Sequence, residues 1–437
     1  MDNNLFRIIG FSLVMLFITI AYMKKKRYNQ IGLFVLLLYT FSSLSSIVFY
    51  LIDFRRGSYE ITYLPYILWL SLFLIIIYPI FKYCGKHIEH YRFNYKFGRI
   101  LCSVCLFLSI LPLVEETIQF NTLLNLGVEE TLTEIHDDVE LRKIAFSLPG
   151  KILYLVLNFL YPLVLISFIP LLKKRMYNRL AIAGVISTFA VINIPFFLMS
   201  SRGMLLKTFL DIILIFLLYY PTLSANEKNK IKAPIVVFIT LIATLFGTIT
   251  ISRLIVDSST NSNFTLAYVV ARYSGEGFIN YNAYIKKVKK HTDGDGIFWV
   301  PKSILGYNPH DGGRDCQYNH IEHITGTPQM IFYTFIGFWV QDLGYLMTFL
   351  LFICFSLLMS KYISKIKYSL SMLNIFVIYS FSSIIINGTC LYQYNFANGS
   401  RWQYVVFGII VLFFFDNKSV INSNKKKYDD TWFPSKI

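Results

Sequence analysis

Residues 31–52 read IGLFVLLLYTFSSLSSIVFYLI, and shortly before them residues 24–27 read KKKR. The stretch 31–52 contains no charged side chain and is long enough to cross the hydrocarbon core of a bilayer as one helix. A cluster of Lys and Arg marks the cytoplasmic end of such a helix. The two features together predict a membrane-spanning helix that runs outward from the cytoplasmic side.

Similar apolar runs recur on both sides of this stretch, and the composition agrees with them. The chain has 437 residues, of which 55% are hydrophobic and 15% charged, whereas a soluble domain carries roughly a quarter charged residues. We therefore predict an all-α polytopic integral membrane protein, a bundle of about eleven transmembrane helices with one long outward loop. The predicted spans are 5–22, 31–52, 61–81, 100–119, 151–172, 179–199, 204–220, 234–250, 343–360, 369–387 and 403–416.

The charged residues alternate between the two sets of connecting segments. Lys and Arg cluster at 24–27, 82–99, 173–179, 228–232, 361–367 and 425–427, whereas the opposite set includes the acidic segment 129–140. Because basic loops stay in the cytoplasm, we expect the N-terminus outside and the C-terminus inside. The formal net charge of +16 is spread over these short clusters, which argues against a nucleic-acid partner.

This pattern divides the chain into four parts. Residues 1–250 hold the first eight helices and an acidic outward loop at 120–148, and residues 251–328 form the long outward loop. Residues 329–416 hold the C-terminal helices, and 417–437 form a cytoplasmic tail. Glu115 and Glu116 end the fourth predicted span and are expected to face water.

Arginines near the outward face are the first candidates for chemistry, because a desolvated charge there is costly without a partner. Arg202 lies between the sixth and seventh spans, and Arg253 follows the eighth; a guanidinium binds phosphate through paired hydrogen bonds. Arg272 and Glu276 combine a cation with a carboxylate that can act as a general base. The structural alternatives are a snorkelling arginine for Arg202 and an ion pair for Arg272 and Glu276.

A second group of candidates lies later in the loop and consists of His310, Arg314, His320 and His323. We expect substrate binding or acid–base work from these residues, with a solvated loop as the alternative. The spacing of His320 and His323 lacks the third ligand that a catalytic zinc needs, so no metal or cofactor is predicted. Cys316 and Cys390 both fall outside, where a disulfide between them is one possibility.

Short motifs surround the end of the long loop: Gly326-Thr327-Pro328, then Tyr333-Thr334-Phe335 and Asp342-Leu343-Gly344. Earlier in the chain, Ser201-Arg202-Gly203 precedes the seventh predicted span. These motifs resemble those of the Wzy-type polymerases that join O-antigen or capsule repeat units. In that family a Thr–Phe-type segment and a D-x-G step open the span after the large periplasmic loop, and a Ser-Arg-Gly step precedes another span.

The resemblance implies a metal-independent glycosyltransferase of the bacterial cytoplasmic (inner) membrane that polymerises undecaprenyl-diphosphate-linked oligosaccharides on its outward face. Under it, Arg202, Arg272 and Glu276 are expected to be catalytic. Arg253, Asp342 and the His310–His323 group are expected to bind substrate. The bilayer, a chain-length regulator and a flippase are the other expected partners. An O-antigen ligase and a lipid-linked oligosaccharide flippase or transporter are the alternatives, although a flippase is expected to have shorter loops.

Overall fold

The computed structural model describes residues 2–25, 28–83, 90–125, 146–173, 178–198, 203–260, 265–307, 314–329, 331–366, 369–389 and 404–414. This part of the chain is almost entirely helical. In chain order its elements are α1 Asn3–Met23, α2 Gln30–Ile52, α3 Tyr63–Lys82, β1 His90–Arg92, α4 Tyr95–Leu108, α5 Ile110–Asn125, α6 Leu148–Lys173, α7 Asn178–Leu198, α8 Gly203–Tyr219, α9 Ala225–Thr260, α10 Leu266–Ile285, α11 Trp299–Ile304, α12 Arg314–Thr325, α13 Thr334–Ser364, β2 Ser369–Ser371, α14 Met372–Asn387 and α15 Tyr404–Phe414.

Seven helical segments of the described residues are long and apolar enough to cross a membrane, which confirms an all-α chain with membrane-spanning helices. They are Asn3–Met23, Gln30–Ile52, Tyr63–Lys82, Tyr95–Gln119, Leu148–Leu172, Leu205–Thr222 and Thr334–Ser364. Three shorter apolar helices, Arg179–Ile194, Met372–Asn387 and Tyr404–Phe414, coincide with further predicted spans. Large apolar side chains such as Phe17, Phe107 and Leu346 are more than 70% exposed, as expected for rings and chains that face lipid.

The chain forms two compact units. The first comprises Met1–His87, Thr250–Lys367 and Phe381–Trp402, and the second comprises Ile88–Ile249, Tyr368–Ser380 and Gln403–Ile437.

An aromatic cluster around Trp69 holds the first unit together. The Trp69 indole stacks on Phe73 at 4.8 Å between ring centroids and meets the edges of Phe11 and Phe278. All four side chains are buried, and they come from α1, α3 and α10. The indole Nε1 also donates a hydrogen bond of 3.0 Å to the Thr334 hydroxyl, which ties α3 to the first residue of α13.

The helix α10 lies antiparallel along α2. Near the end of α2 the Phe49 ring contacts the Tyr268 ring of α10. Earlier on α2, the Ser42 hydroxyl donates a hydrogen bond to the Ser274 carbonyl. Between them the two backbones meet, because a Cβ atom on Gly275 would stand 2.5 Å from the backbone of Ser45 and Ser46. Small residues at such a crossing are what lets apolar helices approach closely.

The sequence predicts a long outward loop over residues 251–328. The described residues of this segment are instead largely helical. It holds the end of α9 and the whole of α10, α11 and α12. The sequence of α10 interrupts its apolar residues with Arg272 and Glu276 and carries no long uncharged run. Its helical character follows from packing against α2 rather than from its own hydropathy, because tertiary contacts supply most helical stability.

In the second unit, α4, α6 and α7 pack against one another. A buried ion pair joins Lys207 Nζ to Asp211 Oδ2 at 2.6 Å within α8, and the ammonium lies 5.3 Å from the centre of the Tyr161 ring. The short strands β1 and β2 pair in parallel, with Tyr91 opposite Leu370.

The expectation that both glutamates at the end of the fourth span face water was wrong for Glu116. Its side chain is fully buried, whereas Glu115 accepts a hydrogen bond from the Ser147 hydroxyl. The helix α5 packs against α6 and α7. Glu116 lies on the buried side of this helix, whereas Glu115 is partly exposed.

A substitution at the α2–α10 crossing tests this packing. Gly275→Ala forces a methyl group into the backbone of α2, so we expect the free energy of unfolding to fall by about 1–3 kcal/mol. The measurement is the thermal unfolding temperature of the purified protein in detergent. Gly247→Ala in α9 is the matched control, because a Cβ atom there meets nothing within 4 Å. Equal unfolding temperatures for the two variants would contradict the close crossing.

Candidate functional site

A buried carboxylate at the end of α2 holds an arginine in place. Asp53 is buried and accepts hydrogen bonds from Arg55 Nε at 3.3 Å and Nη2 at 3.2 Å, and from the Tyr59 hydroxyl at 2.6 Å. Burial would lower the pKa of Arg55, but the hydrogen bonds to Asp53 together with the charge interactions of Tyr59, Asp53 and Tyr268 outweigh this effect and the pKa is raised. Burial, followed by the hydrogen bond to Asp53, raises the pKa of Tyr59. Arg55 therefore stays a cation and Tyr59 stays a neutral donor.

A second arginine is held in the same way on α10. Arg272 Nε donates to Glu276 Oε2 at 3.0 Å, one helical turn away. The other carboxylate oxygen, Oε1, accepts from Asn280 Nδ2 at 2.9 Å, and the same amide reaches the Phe332 carbonyl at 3.2 Å. Both oxygens of Glu276 are thus engaged, and the carboxylate fixes the direction of the Arg272 guanidinium.

These two pairs belong to one group, which we call the double-arginine cluster: Asp53, Arg55, Tyr268, Arg272 and Glu276. Tyr268 lies within electrostatic range of the other four residues. Burial lowers the pKa of Arg272, but the charge and hydrogen bond of Glu276 and the interaction with Tyr268 together outweigh this effect, so the pKa is raised. Arg55 opposes the rise because two cations repel each other.

The exposure of the side chains shows which groups of the double-arginine cluster are available to a ligand. The carboxylates are 0% and 9% exposed, whereas Arg55 is 29% and Arg272 is 38% exposed. Each guanidinium thus binds a buried carboxylate while its side chain remains partly exposed. Two such guanidiniums suit an anion with two phosphate groups.

The loop 291–297 explains the D-x-G step. We call it the Asp342 loop because it surrounds the carboxylate of Asp342, a residue of α13. The Asp342 carboxylate is buried beneath it and accepts hydrogen bonds from the Thr292 hydroxyl and from the backbone N–H groups of Gly294, Gly296 and Ile297. Successive N–H groups that converge on one anion form a backbone nest. Here the anion is the chain's own side chain, and this geometry favours an anchoring role over the predicted substrate contact.

The glycine of the same step bends α13. Gly344 has a φ of +75° and interrupts the helical backbone, and a Cβ atom on it would stand 2.9 Å from Nε2 of His291. The His291 Nδ1 is 3.0 Å from the Gln341 carbonyl. The kink therefore makes room for the imidazole and helps to hold the Asp342 loop against α13.

Asp295 of the same loop contacts His320, one of the histidines that the sequence predicts to be functional. His320 Nε2 lies 3.2 Å from Asp295 Oδ2, and Lys302 Nζ lies 2.7 Å from Asp295 Oδ1. Asp295 is buried and His320 is partly exposed. A carboxylate that orients an imidazole is the arrangement of a general base. His323, in contrast, is exposed at the end of α12.

The structure brings some of the sequence-predicted residues together and leaves others apart. Arg272 and Glu276 meet as an ion pair, while Asp342 and His320 both contact the Asp342 loop. Arg253 lies in α9 and Arg314 begins α12. The residues outside the described part of the chain are Arg202, His310 and Cys390. No group of three or more His, Cys, Asp or Glu residues able to hold a metal occurs in the described part.

Sequence reasoning missed Asp53 and Arg55, although a signal was present. Asp53-Phe54-Arg55-Arg56 follows the end of the span 31–52 that is predicted to face outward. Positive charge on that side runs against the usual bias of membrane proteins. An arginine on that side, in spite of the bias, is a candidate for binding a ligand or for forming an ion pair.

Comparisons of the chain with protein-family models, with curated proteins and with solved structures find no match.

Substitution of aspartate by asparagine, which has the same shape but no charge, tests the anchoring role of Asp342. Asp342→Asn replaces an acceptor of four hydrogen bonds by a group with one acceptor oxygen, so we expect a loss of about 2–4 kcal/mol in stability. Asp293→Asn changes an exposed carboxylate of the same loop and should leave the unfolding temperature unchanged. If Asp342→Asn unfolds at the wild-type temperature, the carboxylate does not anchor the loop.

Proposed function

We propose that this chain polymerises lipid-linked oligosaccharide repeat units, and the double-arginine cluster is the observation that carries the proposal. Release of a lipid diphosphate requires cations that stabilise the charge developing on it. Arg55 and Arg272 are two cations within electrostatic range of each other, each oriented by a buried carboxylate and each partly exposed. A site of this kind needs no metal ion to bind a diphosphate.

The reaction is a transfer between two lipid-linked chains. A sugar hydroxyl of the next repeat unit attacks the anomeric carbon of the growing chain, and a new glycosidic bond forms. The bond from that carbon to the diphosphate breaks, and undecaprenyl diphosphate leaves with the electron pair. A base on the protein takes the proton of the attacking hydroxyl.

Two residues that the sequence analysis proposes for acid–base work are candidates for that base. Both oxygens of Glu276 are engaged, by Arg272 and Asn280. His320 is partly exposed and held by the buried Asp295. We therefore assign to Glu276 the positioning of Arg272, and to His320 the removal of the proton.

The proposed topology places the cluster on the outward face. Basic residues precede α2, and Asp53 and Arg55 follow its other end. By the positive-inside rule this end lies outside, with the N-terminus outside, the C-terminus in the cytoplasm and eleven spans in a bacterial cytoplasmic membrane. The segments 120–148 and 251–328 then lie on the outward side. Arg202 remains a proposed third phosphate contact, and a flippase and a chain-length regulator remain proposed partners.

Deletion of the gene in its own host separates this proposal from its rivals. We expect surface glycan that carries a single repeat unit, because export and attachment would continue without polymerisation. The measurement is the ladder of glycan chain lengths on a gel, with the intact gene restored on a plasmid as control. Polymer stranded on its lipid carrier would indicate a ligase instead, and repeats retained inside the cell would indicate a flippase.

Lysine substitutions test the two arginines without removing their charge. Lysine cannot bind a carboxylate with one edge and a phosphate with the other, so Arg55→Lys and Arg272→Lys should each reduce polymer per molecule of protein roughly 10- to 100-fold. The matched control is Arg56→Lys, because Arg56 is exposed and adjacent to Arg55. Protein level is measured by immunoblot of the membrane fraction. Normal polymer in both variants would remove the cluster from the mechanism.

A further inference from the structure

Two apolar side chains at the end of α11 are almost fully exposed. Leu305 is 84% and Ile304 is 79% exposed, and no large apolar side chain in the described part of the chain is more exposed than Leu305. Gly306 follows with a φ of +86°, and Tyr307 after it is 51% exposed. We call Ile304, Leu305 and Tyr307 the α11 tip. Apolar side chains gathered at one exposed point indicate a contact with another molecule or with lipid.

The helix α13 shows where the bilayer surface lies relative to the α11 tip. The Phe335 ring stacks on Phe352 at 6.1 Å between ring centroids, and the Thr348 hydroxyl donates a hydrogen bond of 3.0 Å to the Trp339 carbonyl. In a straight helix Phe335 and Phe352 would stand about 25 Å apart. The kink at Gly344 is therefore the turn of a helical hairpin.

The second half of this hairpin has the length of a membrane span. Residues 345–364 form a helix about 30 Å long, which is the thickness of the hydrocarbon core. Just after the turn, Leu346 and Met347 are 74% and 52% exposed, as expected for side chains that face lipid. Lys361 is exposed near the other end. The turn at Gly344 therefore lies at one surface of the bilayer, the outward one in the proposed topology.

The Asp342 loop connects the α11 tip with this turn. Its backbone N–H groups bind the Asp342 carboxylate, and its His291 ring lies against Gly344. At the end of the loop the Phe298 ring meets the Trp339 ring at 5.9 Å in a T-shaped contact. The helix α11 begins at the next residue and, with six residues, is about 9 Å long. The α11 tip is therefore one short helix away from the bilayer surface.

The residues around the α11 tip have the composition of a membrane interface. Trp299 begins α11, and the Lys302 ammonium lies 5.1 Å from the centre of the Tyr307 ring. Trp, Tyr and Lys are side chains that anchor a protein at the headgroup level. Residues 286–307 contain five lysines and two aspartates, so this region carries a net positive charge. Such a charge attracts anionic headgroups and repels a second copy of the same region.

We propose that the α11 tip inserts its apolar side chains into the headgroup region of the membrane that the chain spans, where anionic phospholipid covers it. Only the crossing of the bilayer by residues 345–364 is required, so the α11 tip is an anchor whether or not the chain is a polymerase. Insertion holds the Asp342 loop at the level of the lipid headgroups, and with it Asp295, the partner of His320.

Collisional quenching of fluorescence by lipid tests the proposal on the full-length protein in nanodiscs of phosphatidylglycerol and phosphatidylcholine. The fluorescent residue dansylalanine replaces Leu305, and part of the phosphatidylcholine carries a nitroxide on its acyl chain next to the glycerol. We expect strong quenching, close to that of dansylalanine placed at Leu346. The matched control is dansylalanine at Lys290, which is exposed and should be quenched little. Quenching at Leu305 no stronger than at Lys290 would overturn the proposal.

Two further measurements separate lipid contact from misfolding and from self-association. Because Leu305 contacts little protein, its dansylalanine variant should unfold at the wild-type temperature. A lower temperature would mean that Leu305 packs inside the protein, against the proposal. Leu305→Asp should leave the mass of the purified protein in detergent unchanged. A dimer that Leu305→Asp separates into monomers would show that a second copy covers the α11 tip, and would overturn the proposal. A failed polymerase hypothesis would show separately, as an intact chain-length ladder after gene deletion.

Discussion

The contact on which the first unit depends is the crossing of α10 over α2 at Gly275. The backbones approach so closely there that a Cβ atom would stand 2.5 Å from Ser45 and Ser46. Because the helices run antiparallel, this contact places Arg272 and Glu276 near the end of α2, where Asp53 and Arg55 follow. A bulkier residue at the crossing would separate the two ion pairs, so the double-arginine cluster exists because one residue of α10 has no side chain.

Two kinds of ion pair among the described residues differ in how much of the cation they leave exposed. Lys207 and Asp211 form a pair in which both partners are almost completely buried. In the pairs of the double-arginine cluster the carboxylates are buried, whereas the arginine side chains remain about one third exposed. A fully buried pair leaves its cation out of reach of a ligand from solvent. A pair with a buried carboxylate and a partly exposed arginine holds the cation in a fixed direction and still offers hydrogen-bond donors to an anion.

The spans were predictable from sequence because an uncharged run of about 20 residues has few alternatives to a membrane helix. The helix α10 was missed because it owes its place to contacts with α2 and not to hydropathy. Its cation and carboxylate are visible in the sequence, but Arg55, the other cation of the cluster, lies more than 200 residues earlier in the chain. The D-x-G step was recognised as a motif without its physical reason, since the donors to Asp342 come from residues 292–297. Hydrogen bonds between distant segments leave no periodic signal in a sequence.

Hydrogen bonds also connect the double-arginine cluster with α13. The Asn280 amide donates both to Glu276 of the double-arginine cluster and to the Phe332 carbonyl. The next residue, Tyr333, donates its hydroxyl to the Pro328 carbonyl, and the neighbouring Thr327 accepts from Gln341 of α13.

The proposed base is tied to the same helix. His320 contacts Asp295, and the loop that carries Asp295 donates hydrogen bonds to Asp342 of α13. Directional hydrogen bonds hold two groups at a constant separation better than apolar packing alone. Under the proposed function such a separation matters, because misplacement of reacting atoms by about 1 Å can cost 100-fold in rate.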